Sequence, residues 1–345
     1  MYSESDIDGA VAAGALSPEG ARGLRDHIAA SRAAPAVDEE SFRLLSGFND
    51  IFVSIAIVLL LAALLQIGTS IDAARWLGGA AVAGASWALA EYFTARRRMA
   101  LPSILLLLAF VGGVGAALAG LIEAIEPDLS ERQGALAVAG VALTAAGAAW
   151  AHWRRFAVPI TVAAGMVAAV GVLAGLLVAA VPDAVDAVWP LLLVAGLGVF
   201  AVAMRWDLSD RERRTRRADV AFWLHLAAAP MIAHPIFKLL GVFDREVTVA
   251  TALVVVALYL FFAFVALAVD RRALLVSGLG YVLYAMIALF RTAGAVELSW
   301  ALTAFVIGSA LLTLSAFWHP MRAKVVGTLG DLGRRLPPTT SPATA

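Results

Sequence analysis

Long uninterrupted runs of apolar residues constrain this chain more than any other feature. Residues 55–65 and 253–269 are apolar throughout, and similar blocks recur from residue 50 to residue 318. These runs lie within blocks of roughly 17–25 residues, the length that a helix needs to cross about 30 Å of hydrocarbon. Strands of a transmembrane barrel would alternate polar and apolar residues instead. Because a backbone in lipid has to satisfy its own hydrogen bonds, these blocks predict membrane-spanning helices.

The composition agrees with an all-α membrane protein. Hydrophobic residues make up 61% of the chain and charged residues 15%, against about 45–50% apolar and about 25% charged in soluble domains. We expect about ten transmembrane helices, near residues 50–67, 76–94, 101–123, 134–152, 156–180, 187–205, 218–240, 247–269, 273–290 and 298–318.

The loops between these blocks alternate in charge. Seventeen Lys and Arg residues lie in one set of loops and in the C-terminal tail, whereas the other set holds four. Since positive residues mark the cytoplasmic side, this pattern predicts an even number of spans with both termini in the cytoplasm. The arginine pairs recur near residues 97, 154, 213 and 271. The pairs are about 58 residues apart. A duplicated helical hairpin would give this spacing, but two spans with their loops have about the same length without any duplication.

The two ends of the chain differ from the transmembrane domain, residues 46–320. Residues 1–45 have a net charge of −4 and read as a cytosolic acidic helical hairpin and linker, in which Gly14 ends the first helix and Ser17 begins the second. That charge excludes a nucleic-acid partner. Residues 321–345 predict a basic amphipathic helix, as far as Leu336, on the anionic lipids of the inner leaflet, followed by a disordered tail.

The seventh predicted span, residues 218–240, carries more polar chemistry than any other block. It contains His225, His234, Pro230, Pro235 and Lys238. At about 1.5 Å per residue, His225 lies roughly 10 Å into the span and His234 roughly 24 Å. Ionisable groups inside a span are costly and face a cavity or a partner.

These residues suggest a candidate intramembrane polar site, with His225 and the backbone around Pro230 nearest the middle of the membrane. Each proline frees a carbonyl one turn earlier, and broken helices with exposed carbonyls form the midplane sites of many transporters. The alternative is structural: each histidine bonds a neighbouring helix, and Lys238 is an interfacial anchor whose ammonium reaches the outer headgroups.

Glu91 is the remaining candidate. It lies a few residues inside the second span, near Trp87, and either pairs with Arg96 at the interface or forms a buried proton site. No catalytic residue, metal site or cofactor is assigned, because the sequence lacks the common phosphate-binding, zinc-protease and serine-hydrolase motifs. The absence of cysteine excludes disulfides and thiolate chemistry. We therefore do not expect an enzyme; an intramembrane enzyme would require His225 and Glu91 to meet across helices.

The segments Gly14-Ala15-Leu16-Ser17-Pro18-Glu19 and Phe48-Asn49-Asp50-Ile51-Phe52, together with the alanine- and leucine-rich spans, resemble those of uncharacterised bacterial multi-pass inner-membrane proteins. This resemblance implies the bacterial inner membrane as the location and the lipid bilayer as a partner. Two functions stay open: a transport or permease-like protein with a site on the seventh span, and a non-transporting scaffold or envelope-associated protein that binds partners through its hairpin and basic tail.

Overall fold

A computed structural model describes residues 4–24, 48–211, 215–241 and 248–339. These residues form helices and no strand, which confirms the all-α prediction. The chain divides into two units, residues 1–44 and 45–345. In the first unit, α1 spans Glu4–Ala12 and α2 runs from residue 18 through the last described position, 24.

The turn between α1 and α2 follows from its residues. Gly14 adopts a positive φ of 69°, a conformation that costs glycine little. Ser17 then accepts a hydrogen bond at Oγ from the backbone N–H of Gly20, at 2.9 Å, and so caps α2. Ile7 and Ala21 are buried. The predicted linker, residues 33–40, lies outside the described residues.

The second unit is a helical bundle. Its helices are α3 (Phe48–Thr69), α4 (Trp76–Ala90), α5 (Ala100–Ile125), α6 (Glu131–Phe156), α7 (Ile160–Ala180), α8 (Val188–Leu208), α9 (Arg216–Leu239), α10 (Val249–Val269), α11 (Ala273–Thr292), α12 (Ser299–Ala316) and α13 (Trp318–Thr328).

Among the described residues, nine helices are long and apolar enough to cross a membrane, namely α3 and α5 to α12. The other predicted span coincides with α4, which has 15 residues and continues as a π-helix over Glu91–Arg96. Many apolar side chains on the outside of the bundle are exposed, including Phe52, Leu312 and Phe305. Such an extended apolar surface suits lipid rather than water.

Neighbouring helices pair into hairpins that are closed by the arginine-rich loops. The closest pairs are α4 with α5, α6 with α7, α8 with α9, and α10 with α11. We call the end of the bundle that carries these four loops the basic end. Three of the loops turn at one non-glycine residue with positive φ: Arg98, Ala157 and Asp270. The residue that follows is buried each time: Met99, Val158 and Arg271.

Small residues let the hairpin helices approach closely. A Cβ on Gly175 would lie 2.8 Å from the carbonyl oxygen of Ala135 and 2.8 Å from the backbone nitrogen of Ala139. Gly171 and Gly175, four residues apart, have the spacing that permits close helix packing, and a Cβ on either would meet α6. Gly79 of α4 and Gly113 of α5 face each other in the same way.

Helix α9 is the most buried of the nine long apolar helices in the described part of the chain. It contributes Val220, Leu224 and Ala228 to a core shared with α7 and α8. Farther along, Ala233 and Phe237 join a second core with α10 and α11. The helix predicted to be the seventh span is therefore the centre of this half of the bundle.

The C-terminal segment differs from the prediction. Instead of an amphipathic helix that reaches Leu336, α13 covers Trp318–Thr328, and a single 3₁₀ turn follows at Gly333–Arg335. Arg322 and Trp318 are buried, whereas Leu332 is 64% exposed. Gly327 and Gly330 explain the early end of the helix, because glycine is a poor helix former.

Candidate functional site

Three charged or titratable side chains meet inside the bundle near the basic end. His225 Nε2 donates to Asp207 Oδ2 at 3.0 Å. Arg271 donates from Nε to the same oxygen at 3.1 Å and from Nη2 to Asp207 Oδ1. All three residues are at most 2% exposed. We refer to Asp207, His225 and Arg271 as the triad.

Each member of the triad comes from a different helix or loop. Asp207 is the penultimate residue of α8, His225 lies in α9, and Arg271 lies between α10 and α11. The left-handed turn at Asp270 directs the chain back towards α11, and Arg271 takes the buried position that an apolar residue occupies in two other hairpins. This turn therefore buries a charged residue where the two other turns bury an apolar one.

The electrostatics of the triad are balanced by its hydrogen bonds. Removing a carboxylate and a guanidinium from water costs several kcal/mol per ion. The attraction between the two charges offsets this cost only where their geometry is good and their other polar atoms are hydrogen-bonded. Here both carboxylate oxygens accept from Arg271 in a bidentate arrangement, which is the strong form of this pair. Arg271 Nη2 also donates to the carbonyl oxygen of Ala218 at 3.2 Å. The Phe200 ring packs edge-on against His225 at 5.1 Å between centroids.

A second polar cluster adjoins the triad through the peptide bond between Asp270 and Arg271. Asp270 Oδ1 accepts from Trp318 Nε1 at 2.8 Å and lies 3.4 Å from Arg322 Nε. The Arg272 guanidinium stands over the Trp318 ring at 4.9 Å. Consecutive residues of one turn therefore hold the triad on one side and α13 on the other.

His234 lies apart from the triad, in a more aromatic setting. Its Nδ1 is 2.5 Å from the Tyr281 hydroxyl, and its ring lies 5.2 Å from that of Trp189. Tyr281 in turn stacks on Phe237 with centroids 4.2 Å apart. The hydrogen bond to Tyr281 of α11 is of the kind expected under the structural alternative, in which each histidine bonds a neighbouring helix.

The partners of the two histidines place them at different levels of the bundle. Asp207 and Arg271 lie at helix ends, so His225 is close to the basic end of the bundle. Tyr281 is the ninth of the 20 residues of α11, so His234 is level with the middle of that helix.

The prolines do not break α9. The helix is continuous over Arg216–Leu239 with Pro230 and Pro235 inside it, so the expectation of a broken helix is wrong. Pro230 is exposed and Pro235 is buried. Lys238, predicted as an interfacial anchor, lies in the last turn of α9 and is partly buried.

Glu91 is not part of the triad. It forms a bidentate pair with Arg155, with Arg155 Nε at 2.9 Å from Oε1 and Nη2 at 2.5 Å from Oε2. Both side chains are more than one third exposed. The partner is thus Arg155 rather than Arg96, and the structure does not bring Glu91 and His225 together.

Sequence reasoning missed a fully buried histidine. His152 in α6 lies among the rings of Trp87, Phe110 and Phe156, and its Nδ1 is 3.5 Å from Thr161 Oγ1. Its Nε2 has no hydrogen-bond partner among the described residues. This packing explains why Trp87 lies deep in its span rather than at an interface.

Asp207 and Arg271 were also missed as site residues. Both belong to arginine-rich loops that were used only to orient the chain. Their signal in the sequence is weak: a lone aspartate in the last turn of a span, and an arginine directly after Asp270 where two other hairpins carry an apolar residue.

Within the described ranges, no three His, Asp or Glu side chains gather into a group that could hold a metal ion. No protein-family model, curated protein or solved structure matches the chain. The function of the chain is therefore inferred from the triad and from the packing of the helices around it.

Proposed function

We propose that the chain is a ten-span, permease-like protein of the bacterial inner membrane with both termini in the cytoplasm, and that the triad is its cytoplasmic gate. One observation carries this proposal: the triad ties two helical hairpins together by a buried ionic contact. Asp207 and His225 belong to the α8–α9 hairpin, and Arg271 belongs to the α10–α11 hairpin.

A contact of this kind suits a gate better than a permanent support. A buried ion pair is weak as a source of stability, because well-packed apolar residues do as well or better. Two arrangements of packed hairpins, one with the pair formed and one with it broken, give the discrete states that alternating access requires. In this proposal the intact triad belongs to the closed state, and the complete burial of His225 supports that assignment.

The topology follows from charge and length. The seventeen Lys and Arg residues of the basic loops and tail favour a cytoplasmic location for the basic end. Nine helices of the described residues are long enough to span, and α4 with its π-helical extension supplies the tenth crossing. Ten crossings return both termini to the same side.

The absence of cysteine permits a direct test of the gate. A single cysteine at Ala228, which is fully buried and lies one turn beyond His225, reports access through the triad. In inside-out membrane vesicles, a membrane-impermeant maleimide should label Ala228→Cys slowly. Adding Asp207→Asn should raise the labelling rate about tenfold or more. A tenfold rise corresponds to a shift of about 1.4 kcal/mol in the equilibrium between the closed and open states.

Two single-cysteine controls complete the design. Ser209→Cys, at an exposed position just after α8, should label rapidly from the cytoplasmic side in both backgrounds. Right-side-out vesicles should protect Ser209→Cys, which checks the topology. If Asp207→Asn leaves the folded protein as resistant at Ala228→Cys as before, the gate is refuted, and a non-transporting scaffold becomes the better account.

A further inference from the structure

We propose that the C-terminal segment, residues 318–338, is a latch that holds the two gated hairpins together, and we call it the C-terminal latch. The proposal rests on the proposed gate and adds its regulation: the latch has to release before the triad can separate. Three sets of contacts carry it, and they involve both hairpins.

The first set joins the latch to the α10–α11 hairpin. Trp318 Nε1 donates to Asp270 Oδ1 at 2.8 Å, and Arg322 Nε lies 3.4 Å from the same oxygen. Asp270 is 6% exposed and Trp318 2%, so this contact is shielded from water. Because Asp270 directly precedes Arg271, any movement of α13 is transmitted to the triad through one peptide bond.

The second set folds the latch onto itself. Arg322 Nη2 donates to the carbonyl oxygen of Pro337 at 2.6 Å, and Nη1 donates to that of Pro338 at 2.8 Å. Arg322 is 2% exposed although it lies on a terminal helix. Its guanidinium thus links Asp270 to the end of the chain and fixes the path of residues 329–338.

The third set joins the latch to the α8–α9 hairpin. Arg211, four residues after Asp207, donates from Nη2 to the carbonyl oxygens of Arg334 and Leu336, each at 2.7 Å. Asp210, next to Arg211, accepts from the backbone N–H and the hydroxyl of Thr215 at 2.9 and 2.7 Å, which ties it to the start of α9. The latch therefore bridges the same two hairpins that the triad bridges.

The buried side of this segment argues against a helix that only rests on lipid headgroups. An interfacial helix keeps its cations free for phosphate groups, whereas Arg322 is buried, donates to two carbonyl oxygens of this chain and forms an ion pair with Asp270. Lys324, on the same helix, is exposed. The two residues form a natural pair of test and control positions.

The test uses the Ala228→Cys reporter in the full-length protein. Arg211→Ala and Arg322→Ala should each raise the rate of cytoplasmic labelling by about tenfold or more, the equilibrium effect of about 1.4 kcal/mol. Lys324→Ala should leave the rate unchanged. A chain that ends at Thr328 lacks the carbonyl acceptors of both arginines and should label as fast as the arginine variants, whereas a chain that ends at Thr339 should label like the parent.

The outcomes separate the latch from the gate. If Asp207→Asn accelerates labelling but Arg211→Ala and truncation at Thr328 do not, the latch is refuted and the gate stands. If the latch variants accelerate labelling but Asp207→Asn does not, the latch is supported and the triad is not the gate. Arg211 is exposed, so its replacement does not disturb the core and the test holds even where Arg322→Ala fails to fold.

Discussion

The carboxylate of Asp207 is bound by the guanidinium of Arg271, which lies 64 residues farther along the chain. Neither residue is inside the core of a span: Asp207 lies in the last turn of α8, and Arg271 lies just before α11. The pair is nevertheless almost fully buried, and α9 contacts it through His225 and the carbonyl oxygen of Ala218. A buried ionic contact between two hairpins thus lies at the helix ends, where the connecting loops are usually exposed to water.

The first prediction concerns this pair. Asp207→Asn leaves the Arg271 guanidinium buried without its counter-charge, and breaking a buried pair costs about 3–5 kcal/mol. Glu91→Gln, which breaks the exposed pair with Arg155, should cost about 1 kcal/mol or less. Thermal unfolding in detergent, followed through the nine tryptophans, measures both. Equal shifts in melting temperature for the two variants would contradict the difference in burial.

A second prediction contrasts two buried histidines. His225→Leu removes a donor from the Asp207 carboxylate and should destabilise the protein by about 1.5–3 kcal/mol, the contribution of a hydrogen bond to a charged group. His152→Leu removes a ring whose Nε2 has no partner among the described residues and whose Nδ1 lies 3.5 Å from Thr161 Oγ1, a long contact, and should change stability by less than about 1 kcal/mol.

Unfolding by sodium dodecyl sulfate in mixed micelles gives the free energy of unfolding for both histidine variants. A larger loss for His152→Leu than for His225→Leu would contradict the view that the bond to Asp207 is the stronger of the two contributions.

The sequence predicted the helices well and the site poorly, for different physical reasons. Span length and loop charge are local properties, so continuous apolar runs such as residues 253–269 identified α10 within a few residues. The triad depends on which helices are neighbours, and Asp207 and Arg271 are ordinary loop-flanking charges until packing buries them. His225 was recognised because a histidine inside an apolar block is costly wherever its neighbours lie.

One error in the sequence interpretation concerns the prolines. They were expected to break α9, but the helix is continuous over Arg216–Leu239 and packs against two cores of the bundle. A proline inside an apolar block therefore did not suffice to predict an interrupted helix. The contact of the tail with lipid stays a prediction, while Arg322 donates to carbonyl oxygens within the chain.

The hydrogen bond between Tyr281 and His234 gives a third prediction. Tyr281→Phe keeps the ring that stacks on Phe237 and removes only the hydroxyl, so the loss should be about 0.5–1.5 kcal/mol, that of one neutral hydrogen bond. Tyr284→Phe, on the same helix but half exposed, should have almost no effect. The same unfolding titration compares them, and an equal effect of both variants would show that the bond to His234 contributes nothing.

The last prediction concerns the contact between α4 and α5. A Cβ on Gly113 would lie 2.8 Å from the backbone nitrogen of Ala83 and 2.9 Å from the carbonyl oxygen of Gly79, distances that no side-chain rearrangement relieves. Gly113→Ala should therefore cost about 1–3 kcal/mol, the typical penalty of overpacking.

The neighbouring Gly112 is the matched control, because a Cβ there meets nothing within 4 Å. Gly112→Ala should be neutral or stabilising by about 0.5–1 kcal/mol, since alanine loses less backbone entropy than glycine in a helix. Opposite signs for two adjacent glycines in one unfolding titration would establish that these helices touch through Gly113. Two stabilising substitutions would show instead that α4 and α5 are farther apart than this packing requires.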